Sequence, residues 1–97
     1  MVKVAVVGSI AMDLVVTSAV RPGAGETVLG DSFVTVPGGK GANQAVAASR
    51  LGADVTMIGC VGNDYYGQQL IDKLKQNGVS VDYVKPVTET STGTAHI

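Results

Sequence analysis

Pro37-Gly38-Gly39-Lys40-Gly41-Ala42-Asn43-Gln44 separates two stretches of different character, and its reading decides the fold. Before it, Thr27 to Val36 is β-rich, with alternation at Phe33-Val34-Thr35-Val36 and a turn or bulge at Gly30-Asp31. After it, Ala42 to Leu51 consists of helix formers rich in alanine, with Ala42, Ala45, Ser49 and Gly52 at helical spacing. All four side chains are small, so that face can approach a sheet closely, with Ser49 its one polar member. Gly52 is placed as the left-handed residue that ends the helix. Gly38, Gly39 and Gly41 let the backbone turn tightly and let a ligand approach without side-chain obstruction. The helix start points unpaired amide groups back at the loop, which makes a site for hydroxyl oxygens or developing negative charge. Lys40 adds a positive charge there, and Asn43 both donates and accepts. A glycine-rich turn before a helix also occurs as a turn and nothing more, and these residues alone leave both readings open.

Upstream, Val2 to Val7 is a nearly continuous apolar run closed by Gly8, the pattern of a strand buried on both faces of a parallel sheet. Met12 to Val20 is a second β-rich stretch, and Arg21-Pro22-Gly23-Ala24-Gly25 is a turn by composition. With 27–36 it forms an antiparallel pair in this reading, not a further βαβ step. Downstream, Val55 to Val61 reads as a buried strand in which Cys60 is an inert core thiol. Asp64 caps a second helix with Tyr66, Leu70, Ile71 and Leu74 on its inner face and Gly78 as its stop. Val79 to Val84 is a short strand or extended connection, and Thr92 to Ile97 begins a strand for which no partner is visible. Two strand–helix alternations give an α/β class. A parallel sheet normally needs more units, so the chain reads as a truncated piece of a larger domain; a complete small α/β domain is the other reading.

Composition excludes several functions. The chain has 97 residues, a formal net charge of −1 and 45% apolar residues, without the clustered Lys and Arg of a nucleic-acid surface. Neither an apolar run long enough to span a membrane nor a secretory leader pattern is present. A single cysteine rules out an internal disulfide framework, and the expected setting is the cytoplasm. Lys40 is followed by Gly41, so the P-loop's spacing and its magnesium-binding hydroxyl are missing. The place of a dinucleotide fingerprint holds Gly8-Ser9-Ile10-Ala11-Met12-Asp13, with one glycine. No metal-ligand spacing occurs. His96 reads as a lone surface or strand residue, Tyr65 and Tyr66 as packing residues, and Asp72 and Asp82 as solvated. Asp13 lies just past the first strand, where open α/β sheets gather ligands. There a carboxylate can hold two adjacent sugar hydroxyls; a strand-end aspartate facing water fits the spacing equally well.

As a whole the chain resembles the ribokinase family of carbohydrate kinases. The resemblance is carried by Val6-Val7-Gly8-Ser9-Ile10-Ala11-Met12-Asp13, Gly25-Glu26-Thr27-Val28 and Pro37 to Ala48. It continues in Arg50-Leu51-Gly52-Ala53, Gly59-Cys60-Val61-Gly62-Asn63-Asp64-Tyr65-Tyr66-Gly67 and Thr92-Gly93-Thr94-Ala95. It implies the N-terminal part of a ribokinase-like βαβ sandwich, with a small β-sheet lid formed by residues about 12–20, 28–36 and 92–97. It further implies ATP-dependent phosphorylation of D-ribose at the 5-hydroxyl, with Mg²⁺ and K⁺, in a homodimer joined through the lid. By the same resemblance the sugar site takes in Ala11, Met12, Asp13, Gly39, Lys40, Gly41, Ala42 and Asn43, with Asp13 holding sugar hydroxyls. The catalytic base, an aspartate in a Gly-Ala-Gly-Asp-type motif, is expected beyond Ile97, and these residues alone are expected to be inactive. Two positions depart from the family. Ala11 stands where several bacterial members have a sugar-contacting Asn, so that contact is missing or made by water. Ala24 stands where Pro is frequent. A kinase for a related sugar or nucleoside, and a non-catalytic sugar-binding or dimerisation module, are the competing readings.

Overall fold

The computed structural model describes residues 1–97 as six strands and two helices. In chain order these are β1 (Lys3–Val7), β2 (Ala11–Thr17), β3 (Ser32–Gly38), α1 (Lys40–Arg50), β4 (Asp54–Gly62), α2 (Tyr65–Gln76), β5 (Ser80–Val87) and β6 (Thr94–His96). They form two three-stranded sheets, with orders β1-β4-β5 and β3-β2-β6. This is the α/β class that the strand–helix alternation implies. The first sheet is parallel, with Lys3 opposite Asp54 and Thr56 opposite Ser80. In the second, β2 runs antiparallel to β3 and parallel to β6.

Both helices cover the same face of the first sheet, because right-handed crossovers from β1 to β4 and from β4 to β5 carry α1 and α2 to one side. The core lies between: Val55, Met57 and Val61 of β4 meet Ala42 and Ala45 of α1 and Leu70, Ile71 and Leu74 of α2. Ala45 and Met57 are fully buried, so the small helix face does allow the close approach expected of it. Ser49 is satisfied by donating from Oγ to the Asn77 carbonyl at 2.6 Å, which ties the ends of the two helices together. Gly52 and Gly78 stop their helices at φ of 97° and 78°. Asp64 caps α2 by accepting from the Gly67 amide at 2.8 Å.

Several expectations need correction. With helices on one side only, β1 alternates between exposed and half-buried residues and is not buried on both faces. Cys60 is exposed for the same reason, since β4 turns Ile58 and Cys60 to the open face. Tyr65 is 74% exposed and does not pack; Tyr66 rests against the core. The third extended stretch is a strand only from Ser32, and it continues through Pro37 to pair Gly38 with Ala11. Proline is tolerated there because β3 is an edge strand. β2 ends at Thr17, three residues before Val20, where Ser18 Oγ donates to the Val20 carbonyl at 2.6 Å. α1 starts at Lys40, two residues before the expected Ala42. The extended connection after Gly78 is a full strand of eight residues paired with β4. The last strand does have a partner: Thr94 lies opposite Met12 and Ala95 opposite Asp13.

Candidate functional site

The end of β1, the start of β2 and the entry to α1 meet backbone to backbone. A Cβ on Gly41 would lie 2.8 Å from the carbonyl carbon of Gly8 and from the Ser9 amide nitrogen, so only glycine permits this approach. Gly39 turns the chain into the helix at φ 94°, a left-handed conformation that strains any other residue. The Ala42 amide donates to the Ser9 carbonyl at 3.0 Å, and the Asn43 amide to the Gly39 carbonyl at 2.9 Å. No side chain caps α1, and its first turn carries no acidic residue. No carboxylate of the helix's own first turn occupies its positive end, which leaves amide groups there for a ligand's oxygens.

Asp13 reaches this junction from β2, where it lies opposite Val36. Its carboxylate sits directly over Gly38: a Cβ there would meet Oδ1 at 2.7 Å and Oδ2 at 2.8 Å. Asp13 is half-buried, so the carboxylate is confined but reachable. It therefore does not simply face water at the end of a strand. The fold brings Asp13 to the glycine loop and the open start of α1, three features separated in sequence.

The other expected residues fall into two groups. Lys40 and Asn43 have exposed side chains on the first turn of α1. Met12 is 2% exposed and Ala42 7%, so both side chains belong to the core and only their backbone borders the site. Ala11 is half-buried, opposite Gly38 and near Gly93. A groove of about 440 Å³ adjoins the junction, running along α1 from Gly38 and Asn43 to Arg50, Lys73 and Asn77. Asp13 does not line it, so the carboxylate and the groove are neighbours, not one cavity.

Sequence reasoning missed the connection made by Thr92 and Gly93. The Gly93 carbonyl accepts from the Met12 amide at 2.9 Å, beside Asp13. Thr92 is bonded to Asp64 of α2 through both its amide and its hydroxyl. Its burial at 5% exposure is a three-dimensional property that a lone Thr-Gly pair does not signal.

Comparison with known proteins finds matches along nearly the whole chain. A sequence model of the pfkB family carbohydrate kinases matches residues 1–97. The chain is 66% identical over 95 residues to ribokinase of Bacillus subtilis, covering 98% of this chain and 32% of that protein. It is 52% identical over 98 residues to ribokinase of Lactococcus lactis, covering all of this chain and 32% of that protein. The structure of Arabidopsis thaliana ribokinase complexed with ribose and ATP superposes with a TM-score of 0.87 at 35% identity, covering 98% of this chain and 31% of the other. The chain thus spans about a third of the length of the relatives it matches.

Proposed function

Because the chain belongs to the pfkB family of carbohydrate kinases, we propose that it forms the sugar-binding and lid part of an ATP-dependent kinase acting on the 5-hydroxyl of D-ribose. The observation that carries this reading is the Asp13 carboxylate held over Gly38, beside the uncapped start of α1. In this reading Asp13 accepts hydrogen bonds from two adjacent sugar hydroxyls, and Asn43 and Lys40 add polar contacts from the helix. The backbone at Gly39 and Gly41 leaves room for the sugar ring. β2, β3 and β6 act as the lid, and the pentose lies between them and α1.

The chemistry of such a kinase consists largely of positioning and charge stabilisation. This chain's contribution is to fix the sugar so that its primary hydroxyl faces the γ-phosphoryl of ATP. The base that takes the hydroxyl proton belongs to a Gly-Ala-Gly-Asp-type motif, which these residues lack. They also contain no group of three or more His, Cys, Asp or Glu side chains placed to hold a metal. Mg²⁺, which would accompany ATP, and K⁺ belong to the proposal for the kinase as a whole and are assigned no ligand among these 97 residues.

A homodimer joined through the lid is part of the same proposal. It is supported by β3, an edge strand whose Phe33, Val34 and Val36 are 58%, 53% and 43% exposed. The setting proposed is the cytoplasm, and no helix is long and apolar enough to cross a membrane. Ala11, whose methyl group offers no hydrogen bond, favours a second reading in which the preferred pentose or nucleoside differs from ribose at the position an asparagine would contact. A full-length protein carrying these residues, assayed with ATP against pentoses and nucleosides, tests both readings. Turnover highest on D-ribose is the expected result; preference for another sugar supports the second, and no sugar turnover overturns both.

A further inference from the structure

An ordinary N-cap needs one hydrogen bond to the first turn of its helix, and Asp64 makes that bond to the Gly67 amide. Its carboxylate makes two more, both to a residue 28 positions away. The Thr92 amide donates to Oδ2 at 2.8 Å, and the Thr92 hydroxyl donates to Oδ1 at 2.5 Å. The same hydroxyl accepts from the Gly62 amide at the end of β4 at 2.9 Å. Thr92 is thus bonded to the first sheet and to α2 together, and it is buried.

Immediately after Thr92 the chain enters the second sheet. The Gly93 carbonyl accepts from the Met12 amide, and the Ile97 amide donates to the Leu14 carbonyl, each at 2.9 Å. Between those bonds, Ala95 lies opposite Asp13. A short path therefore runs from the cap of α2, through Thr92, along β6 to the strand that carries the carboxylate. We infer that Asp64 and Thr92 are positioning residues, a latch that sets the place of the second sheet, and with it Asp13, relative to α1. This rests on the reading of Asp13 as a sugar ligand. Neither residue touches the sugar; both act through β6.

Two substitutions separate the latch from the cap. Thr92→Val keeps the shape and removes the hydroxyl, while Thr92→Ser keeps the hydroxyl. Asp64→Asn keeps Oδ1 to cap Gly67 but turns an amide nitrogen toward the Thr92 N–H, which breaks that bond alone. In a full-length protein carrying these residues, Thr92→Val and Asp64→Asn are expected to raise KM for ribose about threefold to tenfold, the size of a lost hydrogen bond. The expected kcat stays within about twofold, as for a lost binding interaction, and Thr92→Ser restores KM. Hydrogen exchange read by mass spectrometry on the same proteins is expected to quicken at the Met12 and Ile97 amides while Met57 in β4 stays protected.

Unchanged KM and unchanged Met12 exchange in both Thr92→Val and Asp64→Asn overturn the latch. Equal quickening at Met57 overturns it too, since the residues would then be supporting the fold at large. If Thr92→Val does not fold, Asp64→Asn decides alone. The exchange measurement needs no turnover, so a protein inactive on every sugar removes the reading of Asp13 and still decides whether the latch holds β6.

Discussion

Asp13 and Gly38 form a pair at the scale of single residues, and each can be tested against the other. Asp13→Asn keeps the size of the side chain and removes the charge that, in the proposed reading, accepts from two hydroxyls. Hydrogen bonds to a charged group contribute roughly 1.5–3 kcal/mol, so ribose affinity is expected to fall about tenfold to a hundredfold. Calorimetric titration of the full-length protein checks this, and an unchanged affinity removes Asp13 from the site. Gly38→Ala places a methyl group 2.7 Å from Oδ1 and 2.8 Å from the carboxyl carbon, so the whole carboxylate has to swing aside. Affinity is expected to fall, with a loss of stability to denaturant of no more than the roughly 1–3 kcal/mol of overpacking. Asp64 answers a different question. Hydrogen bonds from the Thr92 hydroxyl, then from the Thr92 and Gly67 amides, hold its carboxyl below its ordinary value of 3.8. A lowered folded value means these contacts contribute fully above 3.8 and are lost as pH falls through that lowered value. The Thr92 amide resonance, followed downward from neutral pH, is expected to titrate below 3.8, and the Asp64 carboxyl of Thr92→Val to titrate closer to it.

Among the elements, those legible in the sequence were the ones whose own residues dictate them. α2 has an acceptor at its cap, an apolar face at Leu70, Ile71 and Leu74, and a glycine stop, and it forms as read. α1 was legible from its small residues and Gly52, although its first turn begins at Lys40 because Gly39 supplies the left-handed turn. What stayed hidden was which face of each strand is covered. An apolar run such as Val2 to Val7 does not reveal whether helices lie on one side or both, and on this point Cys60 was misread. The partner of β6 was equally hidden, because parallel pairing with β2 joins residues more than eighty positions apart. Gly41 of α1 lies against Gly8 and Ser9, backbone on backbone. Gly41→Ala cannot be relieved by a side-chain rotation there, so it is expected to destabilise by about 1–3 kcal/mol, as overpacking does. Urea denaturation followed by far-ultraviolet circular dichroism gives the number, and a neutral substitution means α1 sits farther from β1 than described.

At the scale of the whole molecule, the 97 residues bury 17 of their number and extend over 51 × 32 × 19 Å. Val7, Ile58 and Tyr83 are exposed on the uncovered side of the first sheet, and Phe33 and Val34 on the edge of the second. Apolar surface of this kind, with open strand edges, favours association. The purified 97-residue chain is therefore expected to scatter light as a species heavier than its monomer; a clean monomer means those faces are covered in some way the fold does not reveal. The central claim is that this chain supplies the sugar site of a ribose kinase through Asp13. Its most direct test places these residues in Bacillus subtilis ribokinase, in exchange for the corresponding third of that protein. KM for D-ribose is then measured by coupled ADP release, with and without Asp13→Asn. Ribose-dependent turnover in the chimera, with KM raised at least about tenfold by the substitution, is the result this account predicts; turnover with the same KM in both proteins contradicts it.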